Sequence, residues 1–210
     1  MKQLTEVKLL SSRKSTRKSR SKVVDKWKEK SWYQVMSPGY IVEKALGETP
    51  ASDPELLPGR VIEMAKLGVL DDMFNDINLK IRFRITAVEG NVCRTEFAGH
   101  EVAKEQIRSQ IRRNRSKIES IQNVSTKDRA RLRVSSIVVT PMRCGTSTQK
   151  IVRKTIGDLI KTRAKEQVFT DFAKNMVNGD IAREVREAVN KIFPVVMVDI
   201  RKSKVLALPS

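Results

Sequence analysis

The sequence predicts an α+β domain with a mostly antiparallel sheet or barrel, flanking helices and a disordered basic tail at its N-terminus. Three observations predict it. Strand-type patterns dominate up to about residue 140 and helix-type patterns follow, and elements segregated in this way pack as α+β rather than as alternating βα units. Residues 77–88 alternate apolar and polar side chains throughout, the period of a strand with one buried face. Residues 11–22 (SSRKSTRKSRSK) hold no large apolar side chain. Such a stretch cannot bury enough surface to offset the roughly 1–2 kcal/mol per residue lost on ordering the backbone.

The tail comes first in the chain. Residues 1–30 carry eleven Lys and Arg against three acids, so this seventh of the chain supplies eight of the eighteen net positive charges. The boundary falls near residue 28, and residues 29–208 read as one domain. Ser31–Val35 and Tyr40–Val42 are expected as short strands around the turn signal Ser37-Pro38-Gly39. Residues 47–59 hold three Pro and two Gly and read as a loop, with a strand over Arg60–Met64 after it. In the alternating strand Ile77–Val88, the residues Ile77, Leu79, Ile81, Phe83, Ile85 and Ala87 face one way. Glu89-Gly90-Asn91 turns the chain, Val92–Phe97 pairs back as a hairpin, and Gly99 is expected to end it.

A helix is expected from about Glu101, with Ala103, Ile107 and Ile111 on one stripe. Ser116–Val124 fits either a helical continuation or a strand. Leu132–Thr140 is β-rich and ends at Pro141. Residues 149–177 read as a long helix whose apolar stripe rotates near Lys165–Val168, from Val152, Ile156, Leu159 and Ile160 to Phe169, Phe172, Ala173 and Met176. Either the helix kinks there or its halves pack on different surfaces. Asn178-Gly179-Asp180 ends it and caps an amphipathic helix built on Ile181, Val185, Ala188, Val189 and Ile192. Pro194 stops that helix, and Val195–Leu208 is a last strand interrupted by Arg201-Lys202-Ser203-Lys204.

Composition narrows the function. A hydrophobic content of 40% supports a core, and an aromatic content of 5% is too low for a binder that stacks successive bases on rings. Cys93 and Cys144, with one histidine in the chain, cannot supply the roughly four ligands of a zinc site and read as reduced packing residues. That histidine, His100, has no nucleophile motif around it and reads as a capping or surface polar residue. Asp71, Asp72 and Asp76 lack calcium-loop spacing and read as a solvated turn. Neither glycine-rich phosphate loop occurs. No apolar run reaches the ~18–20 residues of a membrane span, and the N-terminus lacks a secretory signal, which places the chain in the cytoplasm. No catalytic residue, cofactor or metal is expected, so the chain does not read as an enzyme.

What remains is charge on scaffolds. The tail offers Arg13, Lys14, Arg17, Lys18, Arg20 and Lys22. On the alternating strand Lys80, Arg82 and Arg84 share one face, about 6–7 Å between successive positions, a ladder suited to phosphates. A second array runs through Arg112, Arg113 and Arg115, joined by Arg108 and Lys117, and on through Lys127, Arg129, Arg131 and Arg133. A third is the stripe Lys150, Lys154, Lys161 and Lys165 on one side of a helix. The fourth is Arg201, Lys202 and Lys204. Each pattern also fits a solvated polar face. Together, several cationic faces and a basic arm suit embedding in structured RNA better than reading one DNA groove.

Certain stretches, in their order and spacing, resemble a known family: Lys30-Ser31-Trp32-Tyr33, Gly59-Arg60-Val61-Ile62-Glu63, Lys80-Ile81-Arg82-Phe83-Arg84 and Phe97-Ala98-Gly99-His100-Glu101, then Gly179-Asp180-Ile181 and Ile192-Phe193-Pro194 leading into Arg201-Lys202-Ser203-Lys204-Val205. The family is the small-ribosomal-subunit protein of archaea and eukaryotes known as eS-one or S-three-A-e, and the resemblance spans about residues 20–206. It implies a β-barrel-like core with flanking helices, seated on the platform of the small subunit near the rRNA 3′ end and the mRNA exit. Small-subunit rRNA and neighbouring platform proteins are the implied partners, with mRNA and initiation factors beyond them; no membrane and no homo-oligomer are expected. The resemblance also favours a strand for Ser116–Val124. An end at Ser210, without the longer C-terminal tail of eukaryotic members, points to an archaeal-type protein. The alternative that the charge alone allows is an extraribosomal RNA chaperone or a nonspecific nucleic-acid binder.

Overall fold

The computed structural model describes residues 27–66 and 78–208. The chain divides into two units, Met1–Lys30 and Ser31–Ser210. The described part of the first unit is one turn, in which the Lys30 N–H donates to the Trp27 carbonyl at 3.3 Å and the Lys30 ammonium stands 4.5 Å from the centre of the Trp27 ring. The tail residues Arg13, Lys14, Arg17, Lys18, Arg20 and Lys22, the Asp71, Asp72 and Asp76 group, and Ile77 lie outside the described residues.

The second unit is an eight-stranded sheet with helices on both faces. Its strands are β1 (Ser31–Met36), β2 (Ala45–Ala51), β3 (Val61–Ala65), β4 (Leu79–Glu89), β5 (Val92–Val102), β6 (Lys117–Ser125), β7 (Arg131–Val139) and β8 (Met197–Ala207). Among the described residues the α-helices given bounds are α1 (Lys104–Gln110), α2 (Thr146–Glu166), α3 (Phe169–Asn178) and α4 (Asp180–Asn190). The order β2-β1-β5-β8-β7-β6 carries a branch in which β4 pairs with β5 and β3 with β4. Pairing is antiparallel except between β1 and β5, which run parallel over Gln34–Met36 and Val92–Arg94. The α+β class stands, but the sheet is open and mixed rather than a closed antiparallel barrel. It branches at β5, which gives one edge to β4 and divides the other between β1 and β8.

Residue pattern explains most of these elements. Ile81, Phe83 and Ile85 of β4 are buried. They meet Leu132, Val134 and Val138 of β7, Ile156 and Ile160 of α2, Phe169, Phe172 and Met176 of α3, and Ile181, Val185 and Val189 of α4 in one core. Each such side chain removed from water stabilises the fold by about 1.5–3 kcal/mol. Short α1 lies on the opposite face, where Ile107 packs with Val102, Ile137 and Val139. Cys93 and Cys144 are buried free thiols.

Several expectations are corrected. Tyr40–Val42 is not a strand: the Ile41 N–H bonds the Pro38 carbonyl at 3.0 Å and closes a turn. The second strand lies instead at Ala45–Ala51, running into the expected loop. β2 is an edge strand, where Pro50 can forgo its N–H. Gly99 does not end the hairpin, because β5 runs on to Val102 and pairs with β8 there. The helix expected from Glu101 is the shorter α1, and Ile111 falls just past its end. Ser116–Val124 resolves as β6. The long helix is two, α2 and α3, broken at Gln167 and Val168, both in extended conformation. The rotation of the apolar stripe marked that break, and Asp128 accepts the Phe169 N–H at 3.2 Å to start α3. Gly179, with φ 86°, joins α3 to α4 as expected. β8 passes through Arg201–Lys204 without interruption.

Candidate nucleic-acid interface

Strand register gathers arrays that are far apart in sequence. Paired residues in a ladder point to the same side of the sheet. Lys80 pairs with Glu101, Glu101 with Lys202, and Lys202 with Ser135, all away from the main core. In the next row Arg82 pairs with Gly99, Gly99 with Lys204, and Lys204 with Arg133. The opposite-facing neighbours Ile81, His100, Ser203 and Val134 are all buried. Lys80, Arg82 and Arg84, Arg131 and Arg133, and Lys202 and Lys204 therefore share one face, beside the patch that α1 covers, whereas Arg201 is left unpaired at a register shift.

Carboxylates divide these cations into two groups. Arg82 Nε lies 2.6 Å from Glu63 Oε1, and its Nη2 lies 2.8 Å from Glu101 Oε2. Glu101 also takes the Lys202 ammonium at 3.0 Å. Burial would raise the Glu101 carboxyl, but the Lys202 hydrogen bond and the charges of Lys202, Arg82 and Lys104 outweigh it and hold the group below the usual carboxylate range. Glu119 receives Lys117 at 3.0 Å and Arg201 at 2.8 Å. The Lys117 hydrogen bond, opposed by partial burial and reinforced by the charges of Lys117 and Arg201, lowers it likewise. The Arg82–Glu63, Arg82–Glu101 and Lys202–Glu101 pairs tie neighbouring strands together, and Arg201–Glu119 reaches from β8 across β7 to β6.

Lys80, Arg84, Arg131, Arg133 and Lys204 have no ion pair among the described residues, and all five are exposed. Arg133 donates from Nε to Asn123 Oδ1 at 3.0 Å, which aims its guanidinium without neutralising it. Cations fixed on rigid strands, with no carboxylate to satisfy them, form a phosphate-binding surface with little ordering cost.

The other predicted residues flank this face or lie apart from it. Arg112 and Arg113 are exposed in the loop between α1 and β6, and Arg115 donates to the Gln110 carbonyl at 2.8 Å, closing that loop. Lys104 and Arg108 of α1, with Lys117, Glu119 and Arg201, line a hollow of about 290 Å³ beside the strand face. Lys104 escaped the sequence reading because it stands alone there; only the pairing of α1 with the sheet brings it to the others. Lys150, Lys154, Lys161 and Lys165 are exposed on α2 without ion pairs among the described residues, but on the helical side of the sheet. The structure does not merge that stripe with the strand face.

His100 belongs to neither surface. It is 1% exposed, so the expectation of a capping or surface role is corrected. Nε2–H donates to the Ile200 carbonyl at 3.1 Å, and Ser203 Oγ–H donates to Nδ1 at 2.8 Å. The His100 backbone N–H donates in turn to Ser203 Oγ at 3.0 Å. Burial pulls its pKa down to about 4, against the hydrogen bond to Ile200 and with the charge of Lys66. A neutral, fully bonded imidazole that stitches β5 to β8 is a structural element. No group of three or more His, Cys, Asp or Glu among the described residues could hold a metal ion, and no helix among them is long and apolar enough to cross a membrane.

The chain is similar to proteins named small ribosomal subunit protein eS1. The one from Desulfurococcus amylolyticus is 38% identical over 193 residues, covering 92% of this chain and 90% of that protein. The one from Methanobrevibacter smithii is 41% identical over 189 residues, 90% of this chain and 97% of that protein. A third, from Saccharolobus islandicus, is 38% identical over 187 residues, 89% of both chains. The model of the Ribosomal S3Ae family matches residues 18–209, nearly all of the tail-to-β8 span, and with that extent of match the chain belongs to the Ribosomal S3Ae family.

Proposed function

We propose that the chain is a structural, non-enzymatic component of the small ribosomal subunit in the cytoplasm, binding rRNA through phosphate contacts. Its seat is the platform, near the rRNA 3′ end and the mRNA exit, among neighbouring platform proteins. The observation that carries the RNA reading is the strand face, on which Lys80, Arg84, Arg131, Arg133 and Lys204 converge without carboxylate partners among the described residues. The named relatives are small-subunit ribosomal proteins, and a membrane or catalytic role has no support in the residues. The α2 stripe, the Arg112–Arg115 loop and the basic tail are further contacts in this reading. Arg82, Arg201 and Lys202 position the face, being held by Glu63, Glu101 and Glu119.

The test is sedimentation of lysate from cells expressing a tagged copy, beside a Lys80→Gln/Arg133→Gln/Lys204→Gln variant. The wild-type protein is expected with the small subunit, remaining there when subunits separate at low magnesium. The variant is expected to leave the subunit at a lower salt concentration. With purified protein and small-subunit rRNA, the slope of log K against log salt should flatten by roughly 0.7–0.9 for each phosphate contact removed. A variant with unchanged slope and unchanged co-sedimentation excludes the strand face. Wild-type protein confined to light fractions favours the RNA-chaperone alternative.

A further inference from the structure

The hollow of about 290 Å³ between α1 and strands β6 and β8 differs from the open cationic face beside it. Register places it on the same side of the sheet. Lys117 pairs with Val139 and Glu119 with Ile137, and those two apolar residues pack with Ile107 of α1. Four of the lining side chains are cations and one, Glu119, is an acid, so the hollow keeps a positive excess.

Three features of the lining go beyond charge. Lys104 and Arg108 stand four residues apart on α1, which puts them on one side of the helix. Neither makes an ion pair among the described residues. Ile107 and Ile111 bring apolar surface into the same lining, and Ile111 is 37% exposed. Apolar surface among cations suits a ligand that is itself part anion and part flat apolar ring. The third feature is Glu119, whose Oε1 receives both the Lys117 ammonium at 3.0 Å and the Arg201 guanidinium at 2.8 Å. An ionised carboxylate offers about four lone-pair sites on its two oxygens. Glu119 is therefore held in place by two cations and still has capacity for a further donor.

We propose that this hollow is a socket for one unpaired RNA nucleotide whose base carries an exocyclic amine, with cytosine the simplest case. The socket rests on the strand face binding RNA, and it adds what the α1 margin of that face selects. Lys104 and Arg108 take the phosphate, the base lies against Ile107 and Ile111, and Glu119 accepts from the amine. A base in a duplex has its amine occupied, whereas one splayed from a bulge, loop or end presents it. Uracil offers a carbonyl oxygen in place of the amine, and the carboxylate repels it. An acidic protein segment would meet the same repulsion at Glu119.

The experiment measures fluorescence anisotropy of three RNA hairpins with the full-length chain. The hairpins are identical except at one bulged position, which holds cytidine, uridine or an abasic ribose. Their phosphates are equal in number, so contacts from the tail and the strand face cancel in the affinity ratios. The cytidine hairpin is expected to bind about tenfold more tightly than the abasic one and about fivefold more tightly than the uridine one. Glu119→Gln should bring cytidine and uridine together, because an amide can donate to the uracil oxygen as well as accept from an amine. Ile111→Ser should bring cytidine toward the abasic hairpin, and Lys80→Gln should weaken all three alike. Equal affinities of the three hairpins for the wild-type protein would overturn the proposal. So would full discrimination retained by both the Glu119→Gln and Ile111→Ser proteins. Loss of the cytidine preference to an equal concentration of acetylated, amidated Gly-Asp-Leu-Asp-Gly would assign the hollow to an acidic protein segment instead. Binding of the abasic hairpin, and its weakening by Lys80→Gln, reports separately on the strand face, so either reading can fail without the other.

Discussion

At the scale of single residues, His100 and Gly99 show how the β5–β8 junction is held. His100 titrates near pH 4 in the folded chain, against about 6.5 in an unfolded one. As pH falls below 6.5 the unfolded state takes up a proton that the native state refuses. The stabilisation is thus complete above pH 6.5 and is lost progressively toward pH 4, about 3 kcal/mol in all. Urea denaturation at pH 7 and pH 4 should show the wild-type protein losing that much more than His100→Gln; equal losses would mean the imidazole is not held neutral. Gly99 sits beside it with φ 148°. A Cβ there would collide with the Ser203 carbonyl group of β8 and stand 3.3 Å from the Lys204 Cα. Since backbone atoms in a paired strand cannot yield, Gly99→Ala should cost on the order of 3 kcal/mol. Neither residue's role was visible in the sequence, because the partner strand is about a hundred positions away. Gly99 read as a stop signal, where in the structure it is a close-approach site inside a continuous strand.

At the scale of elements, what the sequence disclosed was local periodicity, and what it hid was pairing. The alternation of β4, the amphipathic stripe of α4 and the αL glycine between α3 and α4 were readable because each depends on neighbours in the chain. β2 was missed because Gly47 and Pro50 read as loop, and only its edge position makes the proline acceptable. β8 seemed interrupted because Arg201–Lys204 is charged, although Lys204 is exposed on a strand, Arg201 and Lys202 are half-buried and Ser203 turns inward. The arrays were visible residue by residue, but their union on one face follows from register alone. Packing of elements carries its own test at Gly157, where α2 crosses β6. A Cβ at that position would come within 2.7 Å of Gln122 Nε2, the far end of a flexible side chain rather than backbone. Moving it disturbs a 3.3 Å hydrogen bond to Ser120 Oγ, a loss of about 1 kcal/mol. Replacing a helical glycine by alanine returns about the same. Gly157→Ala should therefore unfold within about 1 kcal/mol of wild type, in contrast to Gly99→Ala; a severe loss at both would mean that α2 cannot shift its neighbour at all.

At the scale of the whole molecule, charge and core are separated along the chain. Among the described residues, the main core begins at Tyr33, whereas residues 1–30 supply eleven of the forty-two Lys and Arg. Removing residues 1–28 should leave the melting temperature of the remaining domain within a degree or two, since the described core side chains are all kept. The effect on RNA binding should be large. If the six cations Arg13, Lys14, Arg17, Lys18, Arg20 and Lys22 each neutralise one phosphate, the slope of log K against log salt becomes shallower by roughly four to five. Two readouts on the same truncated protein separate the possibilities. An unchanged slope with an unchanged melting temperature would remove the tail from the RNA contacts and leave binding to the strand face and the α2 stripe. A lowered melting temperature would make the tail part of the fold, and the boundary near residue 28 would be wrong. A shallower slope with an intact fold assigns the tail to the polyanion alone, an arm whose order comes from what it binds rather than from the domain behind it.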